Sequence, residues 1–211
     1  MSKDEKIKQE VSEGFDVHAY TAKVLTDNGE PTDRGPAKAS TFRPLYGGSQ
    51  GTFAQREYFR EFFDKYSGVF SWHSDLQNEA IKNEVITTAT GRQFAFPGVY
   101  RTKKGLASVK TQIVNYPVQS VATADIVPLG VILLHKELRK RGLNSLVINT
   151  VHDSVVVDVH PDELEEIKIL APTCLKLAQT EAQIRFGLEK FIPLDVEMSM
   201  GSNWMEQEDC A

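Results

Sequence analysis

The stretch DRGPAKASTFRPLYGGS, residues 33–49, reads as one helix with its start and stop marked. Asp33 stands where an N-cap belongs, and Gly47-Gly48 supplies the stop. Pro44 removes a helical N–H and crowds the carbonyl of Ser40, so the helix should bend or end there. Arg34, Lys38, Phe42 and Tyr46 recur at a uniform spacing of four residues. That spacing drifts about 40° per step and spans roughly 18 Å from end to end. One face therefore carries two cations near its N-terminal end and two aromatic rings further along. A nucleoside triphosphate has the matching shape, charged at one end and flat at the other. Arg and Lys hold phosphate oxygens, and an aromatic ring stacks on a base. The plainer alternative is a surface helix whose aromatics reach the core, and spacing alone leaves both readings open.

Upstream, the first 25 residues read as helical with a break at Gly14, and the turn TDNGEPT (26–32) separates them from residues 33–49. Downstream, an aromatic-dense helix runs from Thr52 to Tyr66, Ser67-Gly68 follows as a separator, and another helical stretch reaches Glu84. VITTATGRQFAFPG (85–98) predicts a hairpin turning near Thr90-Gly91, followed by a basic linker, Tyr100–Gly105, and a short helix up to Pro117. A long apolar helix from Gln119 to about Arg141, interrupted by Pro128, ends on cations and a glycine. Two β-branched runs, SLVINTV and SVVVDV, then flank His152-Asp153. A helix from Asp162 to about Lys190, bent at Pro172, and a strand PLDVEMSM (193–200) leading into GSNW and a polar tail complete the order. Helices, hairpin, helices, hairpin, helix and strand make an α+β chain with antiparallel pairing.

The chain has 211 residues, 41% hydrophobic and 25% charged, enough to bury a core. Its net charge of −5 is unevenly spread. Residues 1–110 hold 16 Lys and Arg against 14 Asp and Glu, whereas residues 111–211 hold 8 against 15. Val85 to Ala124 contains no acid and carries Arg92, Arg101, Lys103, Lys104 and Lys110, a stretch that could face phosphate. No uninterrupted apolar run approaches the roughly 18 residues of a membrane span, and the N-terminus lacks the shape of a signal peptide. Two distant cysteines, Cys174 and Cys210, offer neither a disulfide framework nor a metal spacing, so a reducing cytoplasm is the expected setting.

Two further constellations carry chemistry. His152-Asp153 at a hairpin tip places both side chains at the end of a rigid element, although Asp is also an ordinary turn residue. Asn115 and Gln119, four residues apart, flank a proline break. Carboxamides can donate to the acceptors shared by all base pairs in the minor groove.

In this order, the segments resemble the family A DNA polymerases, the group of bacterial DNA polymerase I and many phage replicases. GFDVHAYTA (14–22) is similar to the family's Asp-Ile-His-x-x-Thr-Ala segment. Residues 33–49 resemble motif B, R-x-x-x-K-x-x-x-F-x-x-x-Y-G. FFDKYSGV resembles the Tyr-Pro-Gly-Val stretch, and TTATGRQFAFP the T-x-x-G-R hairpin. NYPVQSVATADI resembles the N-x-P-x-Q-G-T-A-A-D-I helix, NTVHDSVVVDV motif C, and VEMSMGSNW the closing strand.

The resemblance implies a helical fingers subdomain over about residues 1–110 and part of an antiparallel palm sheet over about 111–211. His18, Arg34 and Lys38 would contact an incoming dNTP, Phe42 would pack on its sugar and base, and Tyr46 would sit at the templating position. Asn115, Gln119 and Lys110 would touch primer-template DNA. Lys110 would do so in place of an arginine that the family often has where Thr111 stands. His152 would support the primer terminus. Asp153 would bind two Mg²⁺ ions and, with His152 and Lys38, form the catalytic set. Ser154 replaces the usual motif C glutamate. The motif A strand, D-Y-S-x-x-E-x-R, would lie upstream of Met1. The expectation is therefore the C-terminal part of a split, phage-type DNA polymerase of the host cytoplasm, with no membrane association. A separate chain would complete it, carrying motif A, the thumb and an exonuclease. The alternative is a non-catalytic nucleic-acid-binding remnant of such an enzyme.

Overall fold

A computed structural model describes residues 2, 4–188 and 194–210. The chain divides into two compact units, Met1–Gln119 and Ser120–Ala211.

The first unit opens with α1 (Glu5–Ser12), whose N-cap Asp4 accepts from the Ile7 N–H at 3.0 Å. Gly14, at φ 75°, breaks the chain as expected before α2 (Val17–Asp27). In α3 (Arg34–Leu45) the N-cap position is Asp33, but its side chain makes no capping bond, a correction to the expected cap. Pro44 lies inside α3, which ends one residue later: the Tyr46 N–H still reaches the Phe42 carbonyl at 3.1 Å, and Gly47 turns away at φ 76°. α4 (Phe53–Lys65) begins with a full capping box between Thr52 and Gln55. Its buried face, Ala54, Tyr58, Phe59 and Phe62, packs with Val24, Leu25, Tyr66 and Val69 in an aromatic-rich core. Each fully buried side chain of this size contributes roughly 1.5–3 kcal/mol.

Ser67-Gly68 does not separate two helices: α5 (Ser67–Asn83) starts at Ser67, with only Tyr66 between it and α4. Gly68 is needed there, because a Cβ on it would lie 2.8 Å from Asp4 Cβ and 2.9 Å from Asp4 Cα. The hairpin of β1 (Val85–Thr87) and β2 (Gln93–Ala95) turns through Gly91 at φ 84°, as the sequence predicts. The basic linker is folded, with Arg101 and Ala107 forming an antiparallel bridge. α6 (Lys110–Gln119) contains Pro117 rather than stopping at it. Ile113 joins Leu76, Ala80, Ile86, Phe96 and Ala107 in a second core.

In the second unit Ser120–Ile126 forms a π-helical turn, and α7 (Val127–Arg141) follows with Pro128 in its first turn. Pro117 and Pro128 bracket the wide turn, and each removes one helical N–H. Gly142 ends α7 at φ 70°, and Arg139, Lys140 and Arg141 meet the negative end of the helix dipole. β3 (Leu146–Val151) and β4 (Ser154–Asp158) pair antiparallel, with a bulge between Val147 and Asn149. After a 3₁₀ turn (Pro161–Glu163), α8 (Leu164–Phe186) runs through Pro172 to Gly187 at φ 61°. The expected helix end near Lys190 and the first residue of the expected strand, Pro193, lie outside the described residues. Residues 194–198 are not strand. The closing strand β5 is Ser199–Asn203, and the polar tail forms its partner β6, Glu206–Asp209. Among the described residues the strands thus form separate antiparallel pairs and not one continuous sheet.

Leu134 and Leu138 of α7 pack with Ile167, Leu170, Ala171 and Cys174 of α8, and Val147 and Val157 of the β3–β4 hairpin close that core. The span Lys110–Arg141 holds an apolar window of mean hydropathy 1.6, long enough by length and composition to cross a membrane. The expectation from uninterrupted runs missed it. Ile113, Val114 and Leu134 on this span are fully buried, which identifies these positions as core.

Candidate functional site

The face predicted on α3 exists, and α2 completes it. Asp16 caps α2 by accepting from the His18 and Ala19 N–H groups at 3.0 and 2.9 Å through one oxygen. Its other oxygen takes the Arg34 Nε–H at 2.6 Å. The capping bond from Ala19 and the Arg34 pairing hold the Asp16 carboxyl below its usual pKa range. One carboxylate therefore fixes the start of α2 and aims the guanidinium of α3. His18 stands edge-on to Phe42, with ring centroids 5.4 Å apart, and Phe42 stacks on Tyr46 at 6.1 Å with planes 21° apart. Lys38 is exposed and makes no ion pair among the described residues. His18, Arg34, Lys38, Phe42 and Tyr46 thus share one surface. Burial, and then the charges of Arg34 and Lys38, push the His18 pKa down, with Asp16 acting the other way.

The exit of α3 is held from behind. A Cβ on Gly47 would touch Val114 Cβ at 3.4 Å and Lys110 Cε at 3.6 Å, so α6 packs directly on this turn. Lys110 is half-buried, and burial lowers its pKa. His73 on α5 bonds the Leu45 carbonyl, and burial, followed by the Lys110 charge, pushes its pKa down to about 4. Asn115 and Gln119 occupy one face of α6, since the helix continues through Pro117. The Asn115 Oδ1 is buried without a hydrogen-bond partner, while Gln119 is exposed.

In the second unit, His152 and Asp153 form the exposed two-residue tip between β3 and β4. His152 takes φ 54°, a left-handed conformation that costs an L-residue about 1–2 kcal/mol. Ser154 Oγ donates to the Val151 carbonyl at 2.9 Å, so this side chain closes the turn. The base of the hairpin is clamped by Glu163, which accepts from the Asn144 and Ser145 N–H groups at 2.7 and 2.9 Å and from Ser145 Oγ at 2.6 Å. These bonds hold the Glu163 carboxyl down at about 2.

Asp16, Thr21, Thr41, His73 and Glu163 were missed from sequence. Only Asp16 carried a local signal, as an acid two residues before a histidine at a helix start. The Mg²⁺ pair implied by the resemblance does not fit these residues alone. Asp153 is a single carboxylate, and no group of three or more His, Cys, Asp or Glu side chains that could hold a metal occurs among the described residues.

DNA polymerase I of Lactococcus lactis is 28% identical over 98% of this chain and 24% of its own length. DNA polymerase I of Aquifex aeolicus is 27% identical over 90% of this chain and 34% of its own. The thermostable DNA polymerase I of Thermus thermophilus is 27% identical over 97% of this chain and 25% of its own. The chain thus spans a quarter to a third of the length of these relatives. The POL domain of Pol1 from M. smegmatis, solved in complex with a DNA primer-template and dNTP, shares the fold. Its TM-score is 0.68 at 24% identity, covering 83% of this chain and 33% of that one. The family model for DNA polymerase family A matches residues 1–206, and the chain belongs to that family.

Proposed function

We propose that this chain is the fingers and later palm part of a DNA-directed DNA polymerase. The observation that carries this is the shared α2–α3 surface of His18, Arg34, Lys38, Phe42 and Tyr46, with Arg34 aimed by Asp16 at 2.6 Å. Arg34 and Lys38 bind the triphosphate of a dNTP, Phe42 packs on its sugar and base, and Tyr46 sits at the templating position. Asn115, Gln119 and Lys110 contact primer-template DNA. His152 supports the primer terminus, and Asp153 brings one carboxylate to the reaction. The primer 3′-hydroxyl attacks the α-phosphate and pyrophosphate leaves. A second acidic segment of the D-Y-S-x-x-E-x-R type comes from outside residues 1–211, on a polypeptide that also carries a thumb. Cys174 and Cys210 are free thiols, in keeping with work in a reducing cytoplasm.

Two measurements test this. The chain should bind dTTP, and Arg34→Ala or Lys38→Ala should weaken binding by about tenfold each, the worth of one charge-assisted hydrogen bond. Mixed with a polypeptide bearing the acidic segment and Mg²⁺, it should extend a primer on a template, and Asp153→Asn should abolish extension. DNA binding with neither dTTP binding nor extension would favour the non-catalytic remnant instead.

A further inference from the structure

A chain of hydroxyl groups runs from the candidate triphosphate surface into the core of the first unit. His18 Nδ1 lies 3.1 Å from Thr41 Oγ1. Thr41 Oγ1 in turn lies 2.8 Å from Thr21 Oγ1 and 3.1 Å from the Ala37 carbonyl. Thr21 Oγ1 lies 2.7 Å from the Val17 carbonyl and also meets the Tyr58 hydroxyl. Thr21 and Thr41 are 0% and 1% exposed, so water does not stand in for a missing partner. Tyr58, Thr21 and Thr41 bring one hydroxyl proton each, whereas the two carbonyls only accept. The one Thr41 proton is directed to Thr21 and the Ala37 carbonyl, the Thr21 proton serves the Val17 carbonyl and the tyrosine proton serves Thr21, so the His18–Thr41 contact has a proton only if the imidazole supplies it. A proton on Nδ1 leaves the neutral ring with a bare acceptor at Nε2. Nε2 has no hydrogen-bond partner among the described residues.

A bare nitrogen and a phosphate oxygen are both acceptors and repel. We propose that Thr41, backed by Thr21, holds His18 as its Nδ1–H tautomer, so that His18 engages the phosphates of a nucleoside triphosphate only by taking a proton from solvent onto Nε2. This rests on the nucleotide-site reading above. The charges facing the ring are Arg34 and Lys38 from α3 and Asp16 at the start of its own helix. α4, which also packs on α2, directs Glu61 to Tyr20 and Tyr58 to Thr21. In the free protein, burial and the two cations keep the ring neutral. A triphosphate bound to those cations reverses the local field, and proton uptake accompanies binding. Thr41 and Thr21 are positioning residues in this scheme, because they act on the ligand through the ring.

The full chain labelled with ¹⁵N-histidine, titrated with dTTP, reads the ring directly. The free protein should show His18 as the Nδ1–H tautomer, and the saturated complex should show an imidazolium. The dTTP affinity should fall as pH rises above the lowered pKa of the free His18 ring, approaching tenfold per unit. Thr41→Val keeps the shape but removes the hydroxyl, freeing the ring to adopt the Nε2–H tautomer, which donates without an added proton. Its pH slope should flatten, and Thr41→Ser should restore it, whereas simple loosening of the core would weaken binding without changing the slope. A ring that stays neutral in the saturated complex overturns the inference and leaves the nucleotide site standing. That NMR result needs no substitution, so it decides even where Thr41→Val is unstable. An unchanged slope in a folded Thr41→Val also overturns the inference. Absence of dTTP binding at every pH overturns the site reading and the inference together.

Discussion

The Phe42 ring lies 41% exposed between the edge of His18 and the face of Tyr46, so it is open to solvent and not spent on the core. Pro44 could have rotated this ring away, but it ends the helix only after Leu45, and the register of Arg34, Lys38 and Phe42 survives. The family resemblance associates phenylalanine here with rejection of a sugar that lacks its 3′-hydroxyl. A phenolic oxygen would fill the vacated space and make the polar contact, and a phenyl ring offers no such substitute. In the complete polymerase, Phe42→Tyr should raise dideoxynucleotide incorporation by on the order of tenfold, the worth of one hydrogen bond, with normal dNTP use nearly unchanged. Equal discrimination by both variants in competitive incorporation would take Phe42 off the nucleotide. The position of Phe42 could be read from the sequence because four-residue spacing maps directly onto one helix face. The Asp16–Arg34 and Thr21–Thr41 contacts could not be, because each joins residues 18 or 20 apart, across two helices whose packing no local pattern specifies.

Two clamps secure elements that the sequence outlined but did not tie down. Lys65 lies 4.2 and 4.3 Å above the rings of Phe15 and Tyr20 and 2.9 Å from Glu10, so it fastens the chain around α1 and α2 to α4. Lys65→Met should lower stability by about 1–2 kcal/mol in denaturant unfolding, since the ammonium is largely shielded from water. Gly68→Ala should loosen α1 further, because the new methyl meets backbone as well as side chain at Asp4. Hydrogen exchange at Ile7, whose N–H bonds Asp4, would report it. In the second unit Glu163 clamps the base of the β3–β4 hairpin. Its carboxyl pKa is depressed in the folded state, so its contribution is fully present above the unfolded carboxyl pKa and fades as pH falls toward about 2. Glu163→Gln should remove that acid-range dependence and raise amide exchange at Ser145. Element boundaries were legible wherever a local stop signal stood: Gly14, Gly91, Gly142. They were not legible where Pro117 sits inside α6, or where β6 forms from a charged tail. In those places tertiary packing or strand pairing overrides local preference.

For the molecule as a whole, the described residues supply one carboxylate at the hairpin tip, and two-metal phosphoryl transfer needs a second acidic segment. Residues 1–211 alone should therefore give no templated extension, and robust polymerisation by the purified chain would refute the reading of Asp153 as half of a shared site. The same chain leaves apolar surface uncovered. Leu146 and Ile148 are 59% and 60% exposed on β3, on the face opposite Val147, which is packed into the core. Leu146 and the bulge residue Ile148 thus place two exposed apolar side chains beside a strand edge whose backbone groups are open to pairing. Ile169 and Ile184 on α8 are 73% and 75% exposed. Surfaces of this kind drive association when nothing covers them. Purified residues 1–211 should associate with rising concentration in analytical ultracentrifugation. The double substitution Leu146→Lys with Ile148→Lys should reduce association without lowering the melting temperature, because neither side chain belongs to the core. The polypeptide that restores extension should also suppress association, if it covers the β3 face. A monomer that stays monodisperse at high concentration would count against a palm that a second polypeptide completes at this face.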